Sequence, residues 1–293
     1  MKLALVSLLL LTSTAVIAED KVVYGEDDRV NISEMPPQYK QWARSTAAMI
    51  PKSKISKGFF LWDWLGFTEN YKIKKTPNLT QSQNICSDQN FGSEITAASC
   101  TGFLVKPNVI VTAGHCIPKK ADCKNNYWVF DYTQKVVQGQ KKPKIMKRDV
   151  YRCKRVLHKM SDYYSDADYA VIELTKKVKG RTPLKLERAI ENISVGEEIA
   201  VIGTPSGLPL KYAENAKVRS LEQKFFVTNL DTFGGNSGSP VFSKKSGKVI
   251  GILVRGEEDY ISAPGSSCNR VKVCASDGCR GEDVTYSGVL PQF

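Results

Sequence analysis

The feature that most constrains the fold is a succession of short β-branched runs, cut by turn residues, that begins near Ile95. Few segments show a sustained helical period. Many short strands over about 200 residues favour an all-β barrel or sandwich over a parallel α/β sheet. The runs predicted as strands are residues 97–105, 109–112, 127–132, 167–174, 198–203, 216–218, 224–228, 241–242 and 248–254.

The amino-terminal residues have the composition of a secretory signal peptide. Residues 3–18 form the one long apolar stretch, which follows Lys2 and ends with small residues where a signal peptidase cleaves. This stretch is short for a membrane-spanning helix, which needs about 20 residues. We therefore expect a secreted protein without stable membrane insertion, extracellular or, in a Gram-negative bacterium, periplasmic. An uncleaved anchor is the alternative.

The chain carries a net positive charge, but its basic residues do not form a recognisable nucleic-acid-binding motif. Lys and Arg number 42 and Asp and Glu 30, and the chain without its signal peptide carries about +11. The densest basic run surrounds Pro143 and reads as an exposed loop. Its members are Lys141, Lys142, Lys144, Lys147 and Arg148. We expect no nucleic-acid partner.

The eight cysteines are an even number in an exported chain, which favours disulfides. No pair has the C-x2-C spacing of a zinc ribbon, and the chain has two histidines in all. We therefore expect no metal site and no cofactor.

Aromatic residues concentrate in residues 58–67 (GFFLWDWLGF). Such a cluster either covers the side of a barrel or binds a partner or a membrane. The sequence leaves both interpretations open and favours the first.

Three short motifs occur in one order along the chain. Residues 112–116 read TAGHC, residues 168–174 read DYAVIEL and residues 234–240 read GGNSGSP. A serine hydroxyl becomes a strong nucleophile when an imidazole accepts its proton, and a carboxylate must hold the other nitrogen of that imidazole. Ser237, His115 and Asp168 supply these groups. We prefer Asp168 to Asp166 because an apolar strand follows Asp168 directly.

Glycine before and after the serine lets the backbone turn tightly at this point. The N–H groups of Gly235 and Ser237 could then donate to one developing oxyanion, an interaction commonly worth about 3 kcal/mol.

The motif order and the sequence GNSGSP resemble those of the trypsin-like serine endopeptidases, and within them the V8-like, or glutamyl endopeptidase, branch. The resemblance covers residues 22–289. It implies an all-β fold of two antiparallel six-stranded β-barrels of the chymotrypsin type, with the active site between them. It also implies a monomer that hydrolyses protein or peptide substrates through an acyl-enzyme.

The same resemblance implies a disulfide between Cys100 and Cys116, beside His115. Cys123 with Cys153 is the next expected pair. Three pairings stay open for the other four cysteines, which are Cys86, Cys268, Cys274 and Cys279.

The domain organisation follows from these assignments. The signal peptide spans 1–18, a short pro-segment 19–21, an amino-terminal extension with a first strand region 22–90, the first barrel 91–185 and the second barrel 186–293. Val22 resembles the mature amino terminus of V8-like enzymes, so we expect a zymogen cleaved after Lys21.

Two departures from the trypsin pattern narrow the branch of the family. In trypsins, the aspartate directly before the serine pairs with the α-amine that the activating cleavage creates. Asn236 stands at this position here, and an amide cannot form that salt bridge. Phe233 replaces the disulfide cysteine that trypsins place just before the serine motif.

The expected substrate pocket contains Asp231, Thr232 and Gly256. Asp231 lies six residues before Ser237, where trypsins place the carboxylate that selects Arg or Lys. The competing interpretation is a turn aspartate that binds nearby N–H groups. Glutamyl endopeptidases use a histidine where this chain has Leu253, so cleavage after Glu or Asp, with Arg255 or the Val22 α-amine as receiver, is the alternative specificity. A catalytically idle basic binding protein on this fold is the alternative from another class.

Overall fold

The computed structural model describes residues 22–57, 70–140, 142–161 and 167–293. The predicted signal peptide and pro-segment, the aromatic residues 58–67, Lys141 and Asp166 lie outside the described residues.

The described part of the chain is built mainly of β-strands. The first ten are β1 (Val23–Tyr24), β2 (Val30–Asn31), β3 (Thr46–Pro51), β4 (Ile55–Lys57), β5 (Asn70–Ile73), β6 (Cys100–Lys106), β7 (Val109–Thr112), β8 (Asn126–Phe130), β9 (Lys144–Met146) and β10 (Val150–Ser161). The others are β11 (Asp168–Leu174), β12 (Glu198–Gly203), β13 (Lys211–Leu221), β14 (Phe225–Thr228), β15 (Pro240–Ser243), β16 (Val249–Arg255), β17 (Tyr260–Ser262), β18 (Asn269–Val271), β19 (Val273–Cys274) and β20 (Glu282–Tyr286).

The helices of the described residues are short. The α-helices are α1 (Lys40–Arg44), α2 (Leu79–Gln83) and α3 (Gln134–Val137), and the 3-10 helices are Pro37–Tyr39, Lys52–Lys54, Lys120–Asn125, Lys147–Asp149, Ile190–Asn192, Pro205–Gly207 and Ser287–Val289. Among the described residues, no helix has the length and apolar character needed to cross a bilayer.

Six antiparallel strands close into the first barrel, in the order β10, β11, β7, β6, β3 and β8. Its interior is filled by large apolar side chains, of which Trp128 and Phe103 are fully buried. β3 belongs to this barrel although it lies within residues 22–90, so the predicted boundary at residue 90 does not mark the start of the barrel.

The second barrel closes through six further antiparallel strands, in the order β12, β15, β16, β20, β14 and β13, with β13 pairing back to β12. β2 adds to it through β13. Phe226, Tyr286 and Leu253 pack in its core. The predicted fold class, two antiparallel six-stranded barrels, is confirmed.

Every run that the sequence analysis predicts as a strand contains or overlaps one. Three barrel strands, β3, β10 and β20, were not predicted. β3 contains Ala47 and Ala48, which have low strand propensity. β10 carries many exposed charged residues, and β20 begins with two acids. Their pairing with neighbouring strands decides their conformation.

Four disulfides connect the described cysteines. Cys100 pairs with Cys116 and Cys123 with Cys153, so both predicted pairs are confirmed. The four cysteines whose pairing was open form the other two bonds, Cys86–Cys268 and Cys274–Cys279.

Candidate active site

His115 and Asp168 are brought together by the pairing of β7 with β11, in which Thr112 lies opposite Ala170. Asp168 is the first residue of β11, and His115 follows β7 by three residues. His115 Nδ1 lies 2.5 Å from Asp168 Oδ2, and the His115 N–H donates to Asp168 Oδ1 at 3.0 Å. Asp168 thus holds both the ring and the backbone of His115, which fixes the ring orientation. This is the partner predicted for His115.

Ser237 lies on the loop between β14 and β15 of the second barrel. Its carbonyl accepts a hydrogen bond from the Thr101 N–H of the first barrel at 2.9 Å. Thr101 follows Cys100, whose disulfide partner Cys116 follows His115. The serine loop and the histidine loop are therefore both attached to the beginning of β6.

Ser237 is 5% exposed, and its hydroxyl donates to the Val254 carbonyl at 3.4 Å.

The two glycines predicted to shape the serine turn have left-handed backbone conformations. Gly235 has φ +92° and Gly238 has φ +87°. A Cβ at Gly238 would lie 2.1 Å from the Thr101 carbonyl oxygen, and one at Gly235 would lie 2.5 Å from the Thr204 carbonyl oxygen. Any side chain at either position would strain the backbone, and one at Gly238 would also collide with the first barrel.

The peptide groups that carry the predicted oxyanion donors are held by their carbonyl oxygens. The Gly234 carbonyl accepts from the Ser206 N–H at 2.5 Å, and the Asn236 carbonyl accepts from the Ser239 N–H at 2.8 Å. In a planar trans peptide the N–H points away from its C=O, so these contacts fix the directions of the Gly235 and Ser237 N–H groups. Among the described residues, the Gly235 N–H has no hydrogen-bond acceptor.

Asn236, which replaces the activating aspartate of trypsins, is 2% exposed. Its side-chain Oδ1 is buried with no hydrogen-bond partner among the described residues. The start of the described chain contacts a different residue, since the Val22 carbonyl accepts from the Thr232 N–H at 3.3 Å.

Asp231 is 4% exposed and binds the amino-terminal segment. Its Oδ1 accepts from the Tyr24 N–H at 2.7 Å and its Oδ2 from the Asp28 N–H at 3.1 Å. Burial raises the pKa of Asp231 to about 6, although these two hydrogen bonds act in the opposite direction. The contacts match the second interpretation of Asp231, an aspartate that binds nearby N–H groups, and its role toward substrate stays a prediction.

The structure adds a carboxylate that the sequence analysis missed. Glu282 is fully buried, and its Oε2 accepts from the Thr232 hydroxyl at 2.6 Å. A Cβ at Gly256 would lie 2.2 Å from each Glu282 carboxylate oxygen. The predicted pocket residues Thr232 and Gly256 are thus joined through Glu282, whereas Asp231 faces the amino-terminal segment. The available signal for Glu282 was a pair of acidic residues at the start of EDVTY, whose other three residues favour a strand.

Arg255, one of the two receivers considered for a substrate glutamate, has a partner of its own, and Leu253 stands where glutamyl endopeptidases have a histidine. Arg255 Nε lies 2.7 Å from Asp283 Oδ2, and Leu253 is fully buried in the core of the second barrel.

The residues that could hold a metal ion do not form a suitable donor set. Within the described residues, one cluster of three candidate ligands exists, Cys100, His115 and Cys116, with ligand atoms within 4.8 Å of one another. The two sulfurs are joined in a disulfide, and the thiolate is the form of cysteine that binds metals. One imidazole remains, and it is bound to Asp168.

Comparison with known proteins gives three results. The family model of the trypsin-like peptidase domain matches residues 100–252. The chain is 26% identical over 205 residues to a protein of Bacillus subtilis (strain 168) described as an extracellular metalloprotease, with 67% of this chain and 63% of that protein covered. The chain therefore spans less than two thirds of that relative. A solved structure described as Glu endopeptidase in complex with MPD covers 92% of this chain and 96% of its own, at 16% identity and a TM-score of 0.47.

Proposed function

We propose that this chain, which belongs to the trypsin-like peptidase domain family, is a secreted serine endopeptidase that cleaves protein or peptide substrates. The observation that carries the proposal is the 2.5 Å contact between His115 Nδ1 and Asp168. The serine loop and the histidine loop are both attached to β6 beside this contact. These are the groups that acyl transfer by a serine nucleophile requires.

The mechanism follows from the contacts. Asp168 accepts the Nδ1–H of His115, which leaves Nε2 as the base that takes the proton of the Ser237 hydroxyl. The Ser237 oxygen then attacks the substrate carbonyl, and the N–H groups of Gly235 and Ser237 donate to the oxyanion. His115 returns the proton to the leaving amine, and a water molecule hydrolyses the acyl-enzyme by the same route.

Cleavage after Arg or Lys is the specificity we propose. A glutamate before the scissile bond would need a cationic receiver, but Leu253 stands where a histidine would serve and Arg255 binds Asp283. Cleavage after Glu or Asp remains the competing specificity, with the α-amine of Val22 as its receiver.

Secretion and processing are part of the proposal. We expect removal of residues 1–18, followed by cleavage after Lys21, to give a monomer that begins at Val22. Val22 and Val23 are fully buried, so the mature amino terminus would lie inside the second half of the molecule, next to Thr232. Amino-terminal sequencing of secreted protein tests this, and a sequence beginning at Glu19 would contradict it.

The decisive experiment labels the protein with a fluorophosphonate, which reacts with an activated serine, and assays peptide cleavage in parallel. Ser237→Ala should abolish labelling and lower kcat by about a million-fold. Ser239→Ala is the matched control, because this buried serine lies on the same loop, and it should keep both activities. Wild-type protein that folds but neither labels nor cleaves would favour the catalytically idle binding protein.

A further inference from the structure

The hairpin of β17 and β18 lies outside both barrels and reaches the serine loop. Its two strands form a sheet of their own, and the Cys86–Cys268 disulfide joins its turn to the segment after α2. Tyr260, the first residue of β17, packs on the fully buried Phe233, with the ring centroids 5.5 Å apart. The hairpin therefore contacts the chain directly before the serine motif.

The backbone of Gly234, the first residue of that motif, is held on both sides. Its N–H donates to Oδ2 of Asp259, the residue before β17, at 2.9 Å. Its carbonyl accepts from the Ser206 N–H at 2.5 Å. The Gly234 carbonyl and the Gly235 N–H belong to one planar peptide group, so these contacts fix the direction of an oxyanion donor.

Ser206 is held in turn by Tyr260. The two hydroxyl oxygens lie 2.7 Å apart, within hydrogen-bond distance. The Ser206 backbone is left-handed, with φ +51°, a conformation that is strained for a residue with a side chain and persists where the surroundings hold it. Loss of the Tyr260 hydroxyl would therefore free Ser206, whose N–H binds the Gly234 carbonyl.

We propose that Tyr260 is a positioning residue of the active site, which acts through Ser206 to keep the Gly235 N–H directed at the substrate oxyanion. A donor to the oxyanion is most effective when it is oriented before the reaction, because it then needs no reorganisation as the charge develops. The inference rests on the proposed function, and it gives the hairpin outside the barrels a part in the reaction.

Tyr260→Phe removes the hydroxyl and keeps the ring that packs on Phe233. In the mature enzyme it should lower kcat on a good peptide substrate by about tenfold, with KM changed by less than about twofold. Loss of a whole oxyanion donor costs about 100- to 1000-fold, and here the donor is loosened but present. Peptides that differ in the residue before the scissile bond should lose kcat by the same factor.

Inhibition by a peptide aldehyde is the measurement that a purely structural role would not change. The Ser237 oxygen adds to the aldehyde carbon, and the oxygen of the resulting hemiacetal occupies the oxyanion position. The aldehyde is thus held by the oxyanion donors, as the transition state is. Its Ki should rise in Tyr260→Phe by the factor of about ten that kcat loses.

Ser206→Ala removes the same hydrogen bond from its other end. It should lower kcat by a similar factor, and the double variant with Tyr260→Phe should lose little more than either single variant, because both changes remove one interaction. Ser206→Ala also keeps the proposal testable if Tyr260→Phe does not fold.

Tyr212→Phe is the matched control. It removes the hydroxyl of a buried tyrosine of the second barrel, which donates to Glu214 at 2.9 Å. It should change kcat and the aldehyde Ki by less than about twofold.

Unchanged kcat in both Tyr260→Phe and Ser206→Ala would overturn the proposal while leaving the peptidase function standing. A loss that falls on KM alone would do the same, as would an unchanged aldehyde Ki beside a lowered kcat. A double variant whose loss is the product of the two single losses would show that the two hydroxyls act independently. Wild-type protein that neither labels with fluorophosphonate nor cleaves any peptide would instead refute the proposed function itself.

Discussion

The backbone N–H of Asp168 in the first barrel donates a hydrogen bond to the hydroxyl of Thr285 in the second barrel, at 3.1 Å. Both residues are buried, and Thr285 is fully so. The bond from the Thr101 N–H to the Ser237 carbonyl joins the barrels at the other end of the predicted triad. Asp168 and Ser237, two members of the predicted triad, are therefore each hydrogen-bonded to a residue of the other barrel.

Thr285→Val should lower kcat by about tenfold with little change in KM. The variant keeps the shape of the side chain but leaves the buried Asp168 N–H without an acceptor, which costs about 1–3 kcal/mol and lets Asp168 shift relative to His115. Steady-state kinetics on one good peptide measures the effect.

The matched control is Thr46→Val, another fully buried threonine, whose hydroxyl donates to the Trp42 carbonyl at 3.0 Å. It should lose stability without losing kcat. Equal kinetic effects in both variants would argue against a positioning role for Thr285.

Asp168→Asn should lower kcat by about ten-thousandfold without unfolding the protein. An amide donates where the carboxylate accepts, so His115 would be held in the tautomer that cannot take the Ser237 proton. Asp131→Asn is the control, because Asp131 binds Arg181 at 2.7 Å and contacts neither His115 nor Ser237. Retention of most of the activity by Asp168→Asn would exclude Asp168 from the triad.

The free energy of unfolding should fall as the pH rises from about 4 to about 8. Burial, with the charge of Asp231, raises the pKa of Asp28 to about 8, so the folded protein binds more protons than the unfolded chain in this range. Asp27 and Arg29, whose charges also affect the pKa values of the Asp28–Asp231 pair, bind each other at 2.7 Å. The backbone N–H of Glu214 donates to Asp28 at 3.1 Å.

Asp28→Asn should flatten this pH dependence, since the amide stays neutral throughout. Urea unfolding of the two proteins at pH 5 and pH 8 provides the comparison. If the free energy of unfolding depends equally on pH in wild type and Asp28→Asn, Asp28 is not the source of that dependence.

Loss of the Cys86–Cys268 disulfide should destabilise the protein more than loss of Cys274–Cys279. The first bond closes a loop of 182 residues and the second a loop of 5, so the loss of chain entropy is about 5 against about 2 kcal/mol. Thermal unfolding of the paired Cys→Ser variants measures both. A larger loss from the short loop would show that local strain outweighs chain entropy here.

The sequence by itself determined the fold class and the identities of the predicted triad. Runs of alternating β-branched residues favour strands in either barrel, and each predicted run contains or overlaps a strand of the structure. The motif around His115 and the one at Asp168 lie on strands that pair directly, so their contact follows from local pattern and chain order. The Cys100–Cys116 bond was implied by the resemblance to the trypsin-like serine endopeptidases.

Tertiary structure alone decided the conformations of β3, β10 and β20, as well as the contacts of Asp231 and Glu282. Asp231 lies at the expected spacing before Ser237, yet its carboxylate binds the Tyr24 N–H, a group 207 residues away along the chain. Glu282 reaches Thr232 across 50 residues because β20 pairs with β14 and β16. Spacing fixes where a side chain leaves the backbone, but the donors it meets come from distant segments, which only the closed barrels bring together.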